Sequence, residues 1–260
     1  LTDGPDRPCG RAGAALVTGG GKRIGRAIAL DLARAGFDVV IHYRSSGDAA
    51  AAVADEIRAL GHRAATVKAD LALEAQEDDR VGGLDRETWD AHIETNLRAP
   101  IVLAEAFAAQ APAGSSIVNL LDQRVLKPDP RFISYALSRN GLWWATRTLA
   151  QALAPHIRVN GVGPGPTLPS VHQTEAEFEA EAQAVPLQRA GSPEAVASAV
   201  CWLVDAELVT GQMMAHAGHC GVGRERNPPA PDGSRCPPTG GADGIRARPD
   251  AGGRDRHPRS

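Results

Sequence analysis

Thr18-Gly19-Gly20-Gly21-Lys22-Arg23-Ile24-Gly25 is the stretch of this 260-residue chain whose residue types and spacing point most directly to chemistry. Glycines at three successive positions, and a fourth at Gly25, let a backbone approach a pyrophosphate closely. A helix starting just after them supplies free N–H groups and a positive dipole to the same anion. The flanking residues fit that arrangement. Ala14-Ala15-Leu16-Val17 reads as a short buried strand and Arg26 to Ala35 as an amphipathic helix. On its own, the segment also suits an ordinary glycine-rich turn between strand and helix.

The rest of the chain supplies an alternation that such a turn requires. Val39 to Tyr43 forms a second strand pattern, Asp48 to Leu60 an Ala-rich helix ending at Gly61, and Ala64 to Lys68 a third strand. Thr88 to Gln110 reads as one long helix, Ser116 to Leu121 as a strand, Tyr135 to Leu153 as a helix and Ile157 to Val162 as a strand. Ser192-Pro193-Glu194 opens a further helix with a hydroxyl at the cap, proline first and an acid in the first turn. Strand and helix in alternation predict an α/β, Rossmann-like, doubly wound parallel sheet.

Two places break the rhythm. Residues 71–84 are short and acidic, without the apolar run of a crossover helix and its following strand, which together need about 15 or more residues. The expectation is that one central strand–helix unit is lacking. After Met214, residues 216–260 are crowded with proline, glycine and arginine and are nearly devoid of aliphatic side chains. Such a segment buries too little apolar surface to offset its ordering entropy. The expected organisation is therefore a leader at 1–12, a nucleotide-binding domain at 13–215 and a disordered tail at 216–260. The tail's arginines without lysine also suggest a GC-rich reading frame displaced from the original one.

Bulk properties exclude several function classes. A net charge of −3 gives no global basic field for nucleic acid, and the arginines of the tail are not interleaved with aromatics. No apolar run reaches the roughly 18 residues of a membrane span. Cys9, Cys201, Cys220 and Cys236 are scattered, which points to a reduced, cytoplasmic protein. His42, His62, His92 and His156 lack metal-ligand spacing and read as structural or surface residues, so no metal is expected.

With these elements in place, residues 13–215 resemble the short-chain dehydrogenase/reductase family, and within it the pteridine reductase branch. The family's loop pattern TGxxxGxG is met from Thr18 and Gly19 to Gly25, with Lys22, Arg23 and Ile24 completing the turn; Arg23 stands where the pteridine reductase variant has arginine. A cation there, Arg44 and Ser46 after the second strand, and no acid to grip a ribose 2′-hydroxyl favour NADPH/NADP over NADH. Asp70 and Leu71 resemble the family's adenine contact. Gly163, Pro164 and Gly165 resemble the turn that closes over the nicotinamide, with Thr167 in reach of a cofactor phosphate.

The resemblance also implies catalytic roles. Asp122 matches the aspartate that pteridine reductases place where most relatives have serine. Tyr135, thirteen residues later, matches the proton-donating tyrosine. The family's lysine one helical turn on is Arg139 here. Its charge is expected to lower the Tyr135 pKa, but its planar fork donates in other directions, so activity below that of a lysine-bearing relative is expected. Asn96 aligns with a helix asparagine that supports a water relay, although an ordinary polar helix residue fits as well. Residues 168–190 are expected to form a substrate lid. The implied activity is hydride transfer from NADPH to a pterin or related carbonyl or imine, by a homo-oligomer, tetrameric by resemblance. The alternative is an impaired relative with weak or no cofactor binding.

Overall fold

The architecture is that of a computed structural model, which describes residues 13–71, 79–127, 129–170 and 173–215. The expected leader and tail lie outside the described residues, as does most of the acidic stretch after Leu71. β1 (Gly13–Val17) leads through the glycine turn into α1 (Arg23–Arg34). β2 (Phe37–Tyr43), α2 (Gly47–Ala59) and β3 (Ala64–Lys68) follow. α3 (Arg86–Ile93) runs through a π-helical turn (Glu94–Arg98) into α4 (Ala99–Ala108). Then come β4 (Ser115–Leu120), α5 (Ile133–Leu153), β5 (Ile157–Gly163), α6 (Glu175–Ala184), α7 (Pro193–Asp205) and β6 (Met213–Ala215).

All strand pairs are parallel, and they form two three-stranded sheets, β1-β2-β3 and β4-β5-β6. No ladder joins β1 to β4 among the described residues. The two sheets nevertheless share one apolar core. Ile28 and Leu32 of α1, Ile41 of β2, Val53 and Ile57 of α2, Val162 of β5, and Val196, Val200 and Leu203 of α7 form a single buried cluster. Val118 and Leu120 of β4 pack against it. Burial of these aliphatics, each contributing about 1.5–3 kcal/mol, makes the connection that no strand ladder supplies among the described residues.

The opposite face of the first sheet is exposed at its two outer strands. Leu16 of β1 is 53% exposed and Val67 of β3 is 41% exposed. A parallel sheet is normally covered on both faces by its crossover helices. Among the described residues no helix follows β3 before α3, so β3 is exposed from Ala65 onward.

Local capping follows the sequence. The Ser192 hydroxyl accepts from the Ala195 N–H at 3.1 Å, and Asp85 accepts from Thr88 N–H at 2.9 Å to open α3. Thr174 and Glu177 form a reciprocal capping box at the start of α6. The long helix expected over 88–110 starts at Arg86 and contains the π turn, which accommodates one extra residue and re-aims Asn96 inward.

Candidate active site

The glycine turn is held by its neighbours. Gly19 adopts φ +64°, a region open to glycine. A Cβ on Gly25 would lie 2.2 Å from the Gly19 carbonyl oxygen, so only hydrogen fits there. Gly21 lies against Ala50 of α2, where a Cβ would meet the backbone nitrogen at 3.1 Å. His42, at the end of β2, fastens the turn: its Nδ1 accepts from Gly19 N–H at 3.3 Å, and its Nε2 donates to Ala69 O at 3.0 Å. Gly20 N–H donates to the His42 carbonyl at 3.1 Å. This buried histidine, read from sequence as structural or surface, positions the turn.

The α1 N-cap, Lys22, makes no side-chain cap bond, so the helix start keeps unclaimed N–H donors for an anion. Thr18, Gly19, Lys22 and Arg23 are exposed, and Ile24 and Gly25 half-buried. Arg23 adopts φ 49°, rare for a residue with a Cβ. Its guanidinium donates to the carbonyls of Pro169 (3.0 Å) and Leu168 (3.5 Å), tying the turn to the segment after β5. Arg44 and Asp70 are exposed; Ser46 caps α2 without a side-chain bond, and Leu71 is half-buried.

Asp122 and Tyr135 meet. The Tyr135 hydroxyl donates to Asp122 Oδ2 at 2.7 Å. Asp122 also opens a short 3-10 turn, accepting from Arg124 N–H at 2.7 Å, and pairs with the Arg124 guanidinium at 3.4 Å. That guanidinium reaches Glu181 of α6 at 3.3 Å and lies 4.8 Å over the Phe132 ring. Arg124, unassigned from sequence, thus links the Asp122 carboxylate to the helix over the site. Its position two residues after Asp122 was the available signal.

Arg139 lies one turn along α5, with its guanidinium carbon 5.2 Å from the Tyr135 ring centre. It donates to Leu120 O at 3.1 Å, and its buried Nε has no hydrogen-bond partner among the described residues. The Arg139 charge acts on Tyr135 in the expected, lowering direction, but it does not set the net shift. Burial pushes the phenol from its ordinary 10.0 up to about 12. The Arg139 charge pulls it down, but the Asp122 charge and hydrogen bond add to the rise. Burial wins because the phenolate loses water that the Arg139 and Arg124 guanidiniums together do not replace.

Asn96, in the π turn, donates from Nδ2 to Ser138 Oγ at 3.1 Å, and Ser138 donates to the Tyr135 carbonyl at 2.7 Å. Gly163 packs on Asp122, whose carbonyl oxygen would be 3.4 Å from a Cβ there. Pro164 accepts from Gln123 N–H at 3.1 Å. Gly165 accepts from the buried Thr167 hydroxyl at 2.8 Å. Residues 163–169 therefore touch Asp122 and Gln123 at one end and Arg23 at the other. That continuous run connects the glycine turn to the tyrosine–aspartate pair.

A family model described as enoyl-(acyl carrier protein) reductase matches residues 72–218, more than half of the chain, and one described as short chain dehydrogenase matches 13–83. The chain belongs to the short-chain dehydrogenase/reductase family. An uncharacterized oxidoreductase of Mycobacterium tuberculosis is 34% identical over 73% of this chain and 84% of its own length. The 3-oxoacyl-(acyl-carrier-protein) reductase FabG of Aggregatibacter actinomycetemcomitans is 31% identical over 78% of this chain and 97% of its own. Among solved structures, FolM alternative dihydrofolate reductase 1 from Brucella canis, complexed with NADP, is 41% identical with a TM-score of 0.74. That match covers 78% of this chain and 91% of the other. The angucycline C-6 ketoreductase LanV with bound NADP is 27% identical at a TM-score of 0.74, over 80% of this chain and 96% of the other. As a member of the family the chain is an oxidoreductase with a Rossmann-like α/β fold. No helix of the described residues is long and apolar enough to cross a membrane, and no cluster among them is arranged to hold a metal.

Proposed function

We infer that this chain is an NADPH-dependent reductase of pteridine reductase type, acting on a pterin or a related carbonyl or imine. The observation that carries the reading is the 2.7 Å bond from the Tyr135 hydroxyl to Asp122. It joins a phenol proton donor to an aspartate at a position where most relatives carry serine. The likeness to FolM alternative dihydrofolate reductase 1, complexed with NADP, supports the same substrate class.

The residues fit a dinucleotide. The uncapped start of α1 and the Gly19–Gly25 contact, too close for any side chain, form a phosphate cradle from Thr18, Gly19, Lys22, Arg23, Ile24 and Gly25. Arg44 and Ser46 would take a 2′-phosphate, Asp70 and Leu71 the adenine, and Gly163, Pro164, Gly165 and Thr167 the nicotinamide half. When bound, NADPH supplies the hydride. Tyr135 holds the proton at Oη, and Asp122, accepting from it, fixes the direction of the hydroxyl. Arg139 offsets part of the burial cost of a developing phenolate, and Asn96 braces the helix through Ser138. Glu181 and Arg124 hold α6 over the pair and limit water.

A second reading, an impaired relative, has its own support. Arg139 spends a donor on Leu120 O, Tyr135 stays at a high pKa, and β1 lacks a ladder partner on the side away from β2 among the described residues. The short segment at 71–84 fits a lost strand–helix unit, and the tail at 216–260 a departure from the family pattern. NADPH titration by fluorescence, followed by NADPH oxidation with dihydrobiopterin or dihydrofolate, separates the two. Saturable binding with pterin-dependent turnover that is lost in Tyr135→Phe is expected. Binding without turnover, or no binding, favours the impaired relative.

A further inference from the structure

Beneath the start of α5, three side chains with no place in the proposed chemistry close a hydrogen-bonded chain. Asp79 is 2% exposed, His92 1% and Ser134 0%. They come from three separate parts of the sequence: the segment before α3, α3 itself and the second residue of α5. Asp79 is fixed by its own backbone, whose N–H donates to Arg131 O at 3.0 Å. Its Oδ2 accepts from Ser134 N–H at 2.7 Å and from the Ser134 hydroxyl. Ser134 Oγ lies 2.6 Å from His92 Nδ1.

Proton counting sets the direction of that last bond. A serine has one hydroxyl proton, and Ser134 gives it to Asp79, so its oxygen accepts from His92 and Nδ1 carries a proton. The tautomer and plane of the imidazole are thereby set by a carboxylate two bonds away. The imidazole stands edge-on to the Tyr135 ring, with centroids 5.7 Å apart and planes at 72°. A helix cap alone does not need this burial. α3 and α7 are capped by Asp85 and Ser192 without a fully buried carboxylate. Asp79 Oδ1 is buried with no hydrogen-bond partner among the described residues, a cost that a surface cap avoids.

We propose that Asp79, Ser134 and His92 are positioning residues that lock the imidazole edge against the Tyr135 ring and so hold the phenol on Asp122. Other charged groups facing Tyr135 are Asp122 and Arg124 after β4 and Arg139 on α5. Glu94 and Arg98 of the π turn pair with each other at 2.9 Å on the exposed surface. Arg131 pairs with Asp129 at 2.7 Å, also at the surface. Only the kinetic part of the test rests on the reductase reading.

The chain has two tyrosines, so protein labelled with ¹³C at the tyrosine ζ carbon gives two signals, assigned with Tyr43→Phe. In Ser134→Ala the Tyr135 signal should shift and broaden while the Tyr43 signal stays, and Ser134→Thr, which keeps the hydroxyl, should restore it. Turnover with NADPH should fall about tenfold in kcat in Ser134→Ala, with KM for NADPH unchanged. If that variant does not fold, Asp79→Asn takes its place, keeping the shape but not the charge, and the same movement of the Tyr135 signal is expected. An unmoved Tyr135 signal in the folded variant, or no recovery with threonine, overturns the proposal. A moved signal in a protein without NADPH turnover leaves the proposal standing and defeats the reductase reading instead.

Discussion

Arg139→Met isolates the charge that most directly opposes burial of the Tyr135 phenol. The guanidinium carbon lies 5.2 Å from the ring centre. At an effective dielectric constant of about 20, a unit charge at that distance is worth about 3 kcal/mol to a phenolate. That equals roughly two pKa units. The phenol already stands at about 12 with the arginine present, so the methionine variant moves it further from working pH. If the full difference is felt in the transition state, kcat falls by about a hundredfold; partial proton transfer gives less. Arg139→Lys keeps the charge as a compact ammonium with freely rotating donors, and its kcat should exceed that of the native chain. NADPH oxidation against pH, with a saturating pterin, measures both. A methionine variant with native kcat and pH profile would refute the electrostatic role, and a lysine variant no faster than native would refute the argument about geometry.

Three further outcomes follow from the same contacts. Gly25→Ala drives a Cβ to 2.2 Å from the Gly19 carbonyl oxygen, so NADPH affinity should fall at least tenfold, and unchanged fluorescence titration would contradict the cradle. Arg124→Ala leaves Glu181 held only by the 3.0 Å bond from Gln173 Nε2, so proteolysis within α6 should accelerate severalfold, and an unchanged cleavage rate would show that the ion pair does not hold the helix. The Tyr135 pKa is raised on folding, so its neutral form contributes stability that is complete below about pH 10 and lost as pH rises to about 12. Urea unfolding at pH 9 and pH 11 should show a steeper loss in the native protein than in Tyr135→Phe, and equal losses would contradict the shift.

The parts of the fold legible in the sequence are those whose signals are local. The glycine turn, the Ser192-Pro193-Glu194 helix start and the alternation of strands and helices depend on neighbouring residues alone, and they lie where expected within a few positions. The meeting of Asp122 with Tyr135 came from a family pattern rather than from any local signal. The contacts that escaped are long-range. His42 reaches both Gly19 and Ala69, Arg23 crosses to Leu168 and Pro169, and Asp79 joins Ser134 across 55 positions. Asp79 also sits in an acidic stretch whose composition suggests solvent exposure, yet it is 2% exposed. The net direction of the Tyr135 shift was not legible for a related reason. Proximity of Arg139 is readable from i,i+4 spacing, whereas the burial that outweighs it is a property of the assembled site.

Equilibrium titration of the native chain with NADPH, followed through the enhancement of nicotinamide fluorescence and repeated with NADH, tests the central claim most directly. Saturable binding of NADPH, tighter than NADH and weakened by substitution of Arg44, is the predicted result. A chain that folds and leaves NADPH fluorescence unchanged at every concentration would contradict the assignment of the glycine turn and the reductase reading of Tyr135 and Asp122.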